Sequence, residues 1–143
     1  MPATAPYGAF VLRFALGVAA LAHGLLKVFV FTPAGTVGFF GSLGLPAVAA
    51  YLVILAEVGG GLLLIAGAYV RLVSLALVPV LLGALWVHSG NGWMFANPKG
   101  GWEFPAFWTV ALIAQALIGP GAFALKVPDL AGLLGRRAVG ARA

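Results

Sequence analysis

The chain has 143 residues, of which 63% are hydrophobic and only 8% charged, and its mean hydropathy is +1.12. Those values exclude an ordinary soluble globular protein and point to a single polytopic membrane domain, since only about 30 to 40 residues remain outside four candidate spans. The lack of any Cys excludes disulfides, thiol relays, cysteine-ligated iron–sulfur clusters and the usual structural zinc sites, so a redox role has to use a bound cofactor or a partner.

The formal net charge is +5, with the basic residues scattered at span ends and in the C-terminal tail. Membrane lipid, through its anionic headgroups, is the counterpart this distribution suggests, and not nucleic acid. Residues 1–8 carry two prolines and no charged side chain and read as a short disordered leader. A first span follows over residues 9–31. A signal peptide competes with it, because Arg13 precedes an apolar run and Ala20-Leu21-Ala22 resembles a cleavage site; the run continuing past Ala22 favours the span. Its polar groups are Arg13, His23 and Lys27. Arg13 is expected to snorkel to an interface. His23 and Lys27 lie four apart on one helical face, with Gly17, Ala20 and Gly24 on neighbouring faces that allow another helix to approach closely.

Thr32 to Leu45 is too short and interrupted to span, and is expected to form an interfacial loop or short helix. The second span covers residues 46–69, opens on Pro46 and holds a single acid, Glu57, before Gly59-Gly60-Gly61. An ionised carboxylate at that depth needs a cation, a proton or water, which makes Glu57 the first functional candidate. The third span, residues 72–89, forms an antiparallel hairpin with the second; it contains Pro79, expected to kink it, and ends near Trp86 and His88. Gly90 to Phe104 is rich in turn residues and aromatics and is expected to fold back over the bundle mouth. The fourth span is placed at residues 105–125, with Gln115 as its strongly polar side chain, and residues 126–143 read as a basic cytoplasmic tail.

An even number of spans puts both termini on one side, which collects Arg13, Arg71, Lys126, Arg136, Arg137 and Arg142 against Lys27 and Lys99 on the other. The positive-inside rule makes the first side cytoplasmic. At 1.5 Å per residue, Lys27 and Glu57 both rise ~21 Å above that side, His23 ~15 Å and His88 ~26 Å. A Lys27–Glu57 ion pair is therefore expected, either fixing the first two helices together or forming the floor of an outward-facing site with His23, His88 and Glu103. No short-spaced metal motif such as HxxxH occurs. A cation, a buried acid, imidazoles and aromatic walls suit a quinone or another small amphipathic ligand, although ordinary intramembrane polar contacts would use much the same residues.

RFALGVAALAHGLLKVF, FFGSLGLP, AEVGGGLLLIAGAYVRL and NGWMFANPKGGWEFPAFWTVALIAQALIGPGAFAL, together nearly the whole chain after the leader, resemble the DoxX family of small membrane proteins. The resemblance implies an all-α four-helix transmembrane bundle in a cell membrane, the inner membrane of a prokaryote. It also implies a link to quinone-dependent oxidoreductase complexes, in which a soluble or membrane redox subunit is the partner. The family's motif positions fall at Arg13, His23, Gly24, Lys27, Glu57, Gly60, His88, Trp102 and Glu103. The candidate ligand-binding set is thus His23, Lys27, Glu57, His88, Trp102 and Glu103, with no metal, no intrinsic cofactor, a quinone as the candidate ligand and oligomerisation open. The competing reading is a non-catalytic membrane scaffold or small-molecule permease whose buried charges are structural.

Overall fold

The computed structural model describes residues 3–128, and all their regular secondary structure is helical. Helix α1 (Ala5–Leu25) runs directly into a π turn (Leu26–Val30), followed by α2 (Thr32–Ser42), α3 (Ala47–Ala66), α4 (Val70–His88), a 3-10 turn (Ser89–Asn91) and α5 (Glu103–Ile118). Three stretches, Ala5–Val30, Ala47–Ala66 and Val70–Asn91, are long and apolar enough to cross a membrane. The fourth, α5, is apolar but has only 16 residues, about 24 Å against the ~30 Å of a hydrocarbon core. Large apolar side chains such as Leu55, Phe107 and Leu117 point outward, as they do where lipid replaces water.

Two boundaries differ from the sequence expectation. The first helix begins at Ala5, inside the supposed leader, because Pro6 in its first turn needs no intrahelical donor. The last helix stops at Ile118 and not near Leu125, because Gly119 (φ 93°), Pro120 and Gly121 (φ 70°) break it. The chain then turns back across the bundle end, where Ala122 N–H donates to Pro6 O (2.9 Å) and Leu125 N–H to Ala66 O (3.2 Å). Both ends of the described chain therefore lie at one end of the bundle. Of the basic tail, residues 129–143 lie outside the described residues.

Helix α1 packs along α3, and α4 along α5, with α3–α4 and α1–α5 contacts closing the bundle. Its core is built from Leu16, Ala20, Leu64, Val73, Leu77, Trp108 and Leu112. The α1–α3 contact is backbone to backbone. A Cβ on Gly17 would lie 2.8 Å from Ile65 N, one on Gly61 2.6 Å from Leu21 N, and one on Gly24 2.9 Å from Val58 N. Each is closer than carbon atoms tolerate, so glycine at these positions is what lets the two helices meet. Helix α4 continues through Pro79 from Val70 to His88.

Arg13 is the main departure. It does not snorkel: it is 0% exposed and donates from Nη1 to Leu64 O (2.7 Å) and Ile65 O (2.8 Å), from Nε to Pro120 O (2.9 Å) and from Nη2 to Ala122 O (3.0 Å). The reason lies at the end of α3, where the last carbonyls lack helical partners. Left-handed Gly67 (φ 78°) lets Ala68 N–H return to Leu63 O and Gly67 N–H to Leu64 O. Arg13 takes Ile65 O and shares Leu64 O, and Leu125 N–H takes Ala66 O, so every carbonyl of that terminus is paired. The cation also meets the negative end of the α3 dipole, which compensates a buried guanidinium that has no carboxylate beside it among the described residues. Phe10 covers it, with its ring centroid 5.2 Å from Cζ.

Candidate functional site

Lys27 sits in the π turn that ends the first helix, where Phe31 N–H reaches back to Leu26 O across five residues. Such a turn re-aims the side chains it carries and often marks a functional position. Thr36 of α2 is buried against the turn and donates within α2 to Thr32 O at 2.9 Å, with Lys27 O at 3.4 Å. The ammonium of Lys27 points at Glu57 on α3, with Nζ 2.7 Å from Oε2 and 3.0 Å from Oε1. The expected pair is thus formed as a two-pronged charge-assisted contact, with Lys27 19% and Glu57 8% exposed at the side chain. Gly24, one turn before Lys27, lies where a Cβ would meet Val58 N at 2.9 Å and Glu57 Cβ at 3.1 Å, so the close α1–α3 approach adjoins the ion pair.

His23 precedes Lys27 by one helical turn, and its carbonyl lies 3.5 Å from Lys27 Nζ. Its ring packs edge-on against Trp108 (centroids 4.9 Å) and lies roughly parallel to Phe104 (6.2 Å), which itself contacts Trp108 (5.5 Å). His23 Nδ1 is 2.8 Å from Ala19 O. A carbonyl only accepts, so Nδ1 carries the proton, and in the neutral ring Nε2 is left as an acceptor. Trp108 is 5% exposed, and its indole N–H is buried with no partner among the described residues. An unpaired donor in such a place costs free energy, and a ligand acceptor would recover it.

His88, Trp102 and Glu103 serve a different part of the molecule from the ion pair. His88 Nδ1 donates to Lys99 O and Gly100 O, both at 3.1 Å. Glu103 Oε1 accepts from Phe95 N–H at 3.1 Å, and Trp102 stacks edge-on with Trp93 at 4.6 Å. Asn91 Nδ2 holds Gly100 O (2.9 Å), Asn97 Nδ2 holds Asn91 O (3.0 Å), and Trp102 and Glu103 N–H return to Gly92 and Trp93 O. The 90–104 loop is therefore ordered by its own bonds. It reaches the aromatic cluster through Phe95, whose ring is 5.8 Å from that of Phe104. Among the described residues no three His, Asp or Glu side chains converge as a metal would require.

Two contributors escaped the sequence reading. Trp108 could have been found from its spacing, since Phe104, Trp108, Leu112 and Gln115 form one stripe of α5 facing the bundle. Thr36 gave no signal, because nothing in the composition of 32–45 shows that its helix folds back on the Lys27 turn. Gln115 is buried too, donating to Gly119 O at 2.7 Å, and it finishes α5 without joining the cluster at Lys27.

A family model described as DoxX matches residues 8–90, which include His23, Lys27, Glu57 and His88 but stop before the loop and α5. Over 78 residues the chain is 37% identical to a protein named "Putative oxidoreductase CatD" from Bacillus subtilis (strain 168), an alignment covering 54% of this chain and 57% of that protein. The matched region spans just over half the length of that relative. No solved structure matches the chain. With more than half its length matched by the family model and three helices able to cross a bilayer, this multi-pass membrane protein belongs to the DoxX family.

Proposed function

We propose that the protein is the membrane subunit of an oxidoreductase complex, and that the half of the bundle opposite its termini binds a quinone head group or a ring of similar chemistry. The observation that carries this reading is the buried Trp108 indole N–H, without a partner among the described residues, set edge-on against the His23 ring, whose Nδ1 is engaged by Ala19 O. A quinone carbonyl accepts from the indole, and a hydroxyl of its reduced form donates to the imidazole. Phe104 supplies the stacking face, and the Lys27–Glu57 pair one turn away fixes the local charge. His88, Trp102 and Glu103 act at one remove, by holding the loop that positions Phe95 over Phe104. The redox centre belongs to a partner, since the chain carries no cofactor-binding motif. The site faces away from the cytoplasm in a prokaryotic inner membrane, with both termini inside.

A second reading, a scaffold or permease without catalysis, draws on the Lys27–Glu57 pair being satisfied by its own two members beside the close approach of Gly24 to α3. Binding of a short-chain quinone to the purified protein separates the two readings. Trp108→Phe keeps an aromatic ring and removes the donor, and it should weaken binding at least about five- to tenfold, the loss of one buried hydrogen bond. Equal binding by wild type and Trp108→Phe, or none by either, contradicts the proposed site.

A further inference from the structure

At the opposite end of the bundle a groove of about 520 Å³ lies between the α3–α4 turn and the segment after α5, lined by Gly67, Tyr69 to Leu72, Pro120 and Leu125 to Val127. Two cations line it, Arg71 and Lys126, both exposed, and among the described residues no carboxylate does. Arg71 is oriented by the end of α5, where Nη1 donates to Ala116 O (2.9 Å) and Leu117 O (3.0 Å). That grip occupies one corner of the guanidinium and leaves Nε and Nη2 without partners among the described residues. Gly119 is required beside it: a Cβ there would lie 2.9 Å from Nη2 and 3.4 Å from Nε, and its φ of 93° disfavours other residues. The tight turn opposite uses left-handed Gly67 and Tyr69 (φ 50°). The other walls are apolar, from Val70, Leu72, Leu125 and Val127.

We infer that this groove is a binding site for the phosphate of an anionic phospholipid, held by the free edge of Arg71 and the ammonium of Lys126. The chemistry matches at each part. A guanidinium edge offers two parallel donors to phosphate oxygens, and a lysine beside it adds a mobile charge. The groove opens where the spanning helices end, the level of lipid headgroups, and its apolar walls continue toward the acyl chains. A soluble anion would make no use of those walls. The site is separate from the His23–Trp108 cluster and does not depend on the function proposed for it.

The full chain in phosphatidylcholine nanodiscs doped with phosphatidylglycerol, released into the gas phase and weighed by native mass spectrometry, tests the assignment. Wild type should retain phosphatidylglycerol in preference to phosphatidylcholine, and Lys126→Gln should lower that retention about fivefold, the worth of one cation at a headgroup. Lys99→Gln, at the far end of the bundle, should leave it unchanged. Arg71→Lys, which keeps the charge and loses the fork, should lower it as well. Lack of preference for the anionic lipid in wild type, or equal losses from Lys126→Gln and Lys99→Gln, overturns the assignment.

Discussion

Replacing Arg13 by Leu tests the least anticipated part of the fold. The substitution removes the donors to four carbonyls, of which Leu64 O keeps Gly67 N–H, while Ile65 O, Pro120 O and Ala122 O are left without the bonds described here. A fully buried orphaned acceptor costs about 1–3 kcal/mol; these three are partly buried and share one side chain, so each costs toward the low end and the costs do not add fully. A loss of about 2–3 kcal/mol is expected. Arg13→Lys keeps the charge at the α3 C-terminus but cannot span both sides of the fork, and about half of the loss should remain. Reversible unfolding of the purified protein in mixed micelles, followed by tryptophan fluorescence, gives both values. A change below about 1 kcal/mol for Arg13→Leu would refute the view that this residue ties α1 to the ends of α3 and α5.

Further outcomes follow from other contacts. Gly61→Val places a branched side chain where even a Cβ lies 2.6 Å from Leu21 N, so the α1–α3 pair should separate and the protein should fail to resist extraction or thermal challenge; a variant with wild-type Tm contradicts the close approach. Glu103→Leu removes the acceptor for Phe95 N–H and should speed proteolysis between Gly92 and Gly100, whereas an unchanged rate means the loop is held without it. Single cysteines at Ala96 and Thr4 should be labelled from opposite sides of sealed vesicles, with Thr4 on the cytoplasmic side; labelling of both from one side contradicts the topology.

The features that the sequence made legible are those whose cost in lipid is large and local. Glu57 and Lys27 announce themselves because each is expensive alone and their depths agree, and the ion pair is present. Gly17 and Gly24 announced the close helix contact for the same kind of reason: small residues on one face have few other uses. Arg13 was misplaced because its partners are backbone carbonyls from residues 64–65 and 120–122, which carry no side-chain signature. The short α5 was overextended because apolar composition continues through Gly119-Pro120-Gly121, and the break lies in backbone geometry and not in hydropathy. Likewise, the depth of His88 sets it near the outer side of Lys27, but depth says nothing about azimuth, and both His88 and Glu103 turn to the loop.

The most direct test of the proposed site is a double substitution, Lys27→Met with Glu57→Leu, which replaces the ion pair by apolar groups and leaves no orphan charge. Removing only one partner should destabilise by up to about 3–5 kcal/mol, less to the extent that water reaches Lys27, whereas the double variant should fold. If the pair serves a ligand site beside His23 and Trp108, that folded variant should bind a short-chain quinone at least tenfold more weakly than wild type. Folding with unchanged quinone affinity would contradict a role in binding and assign the pair to holding α1 against α3.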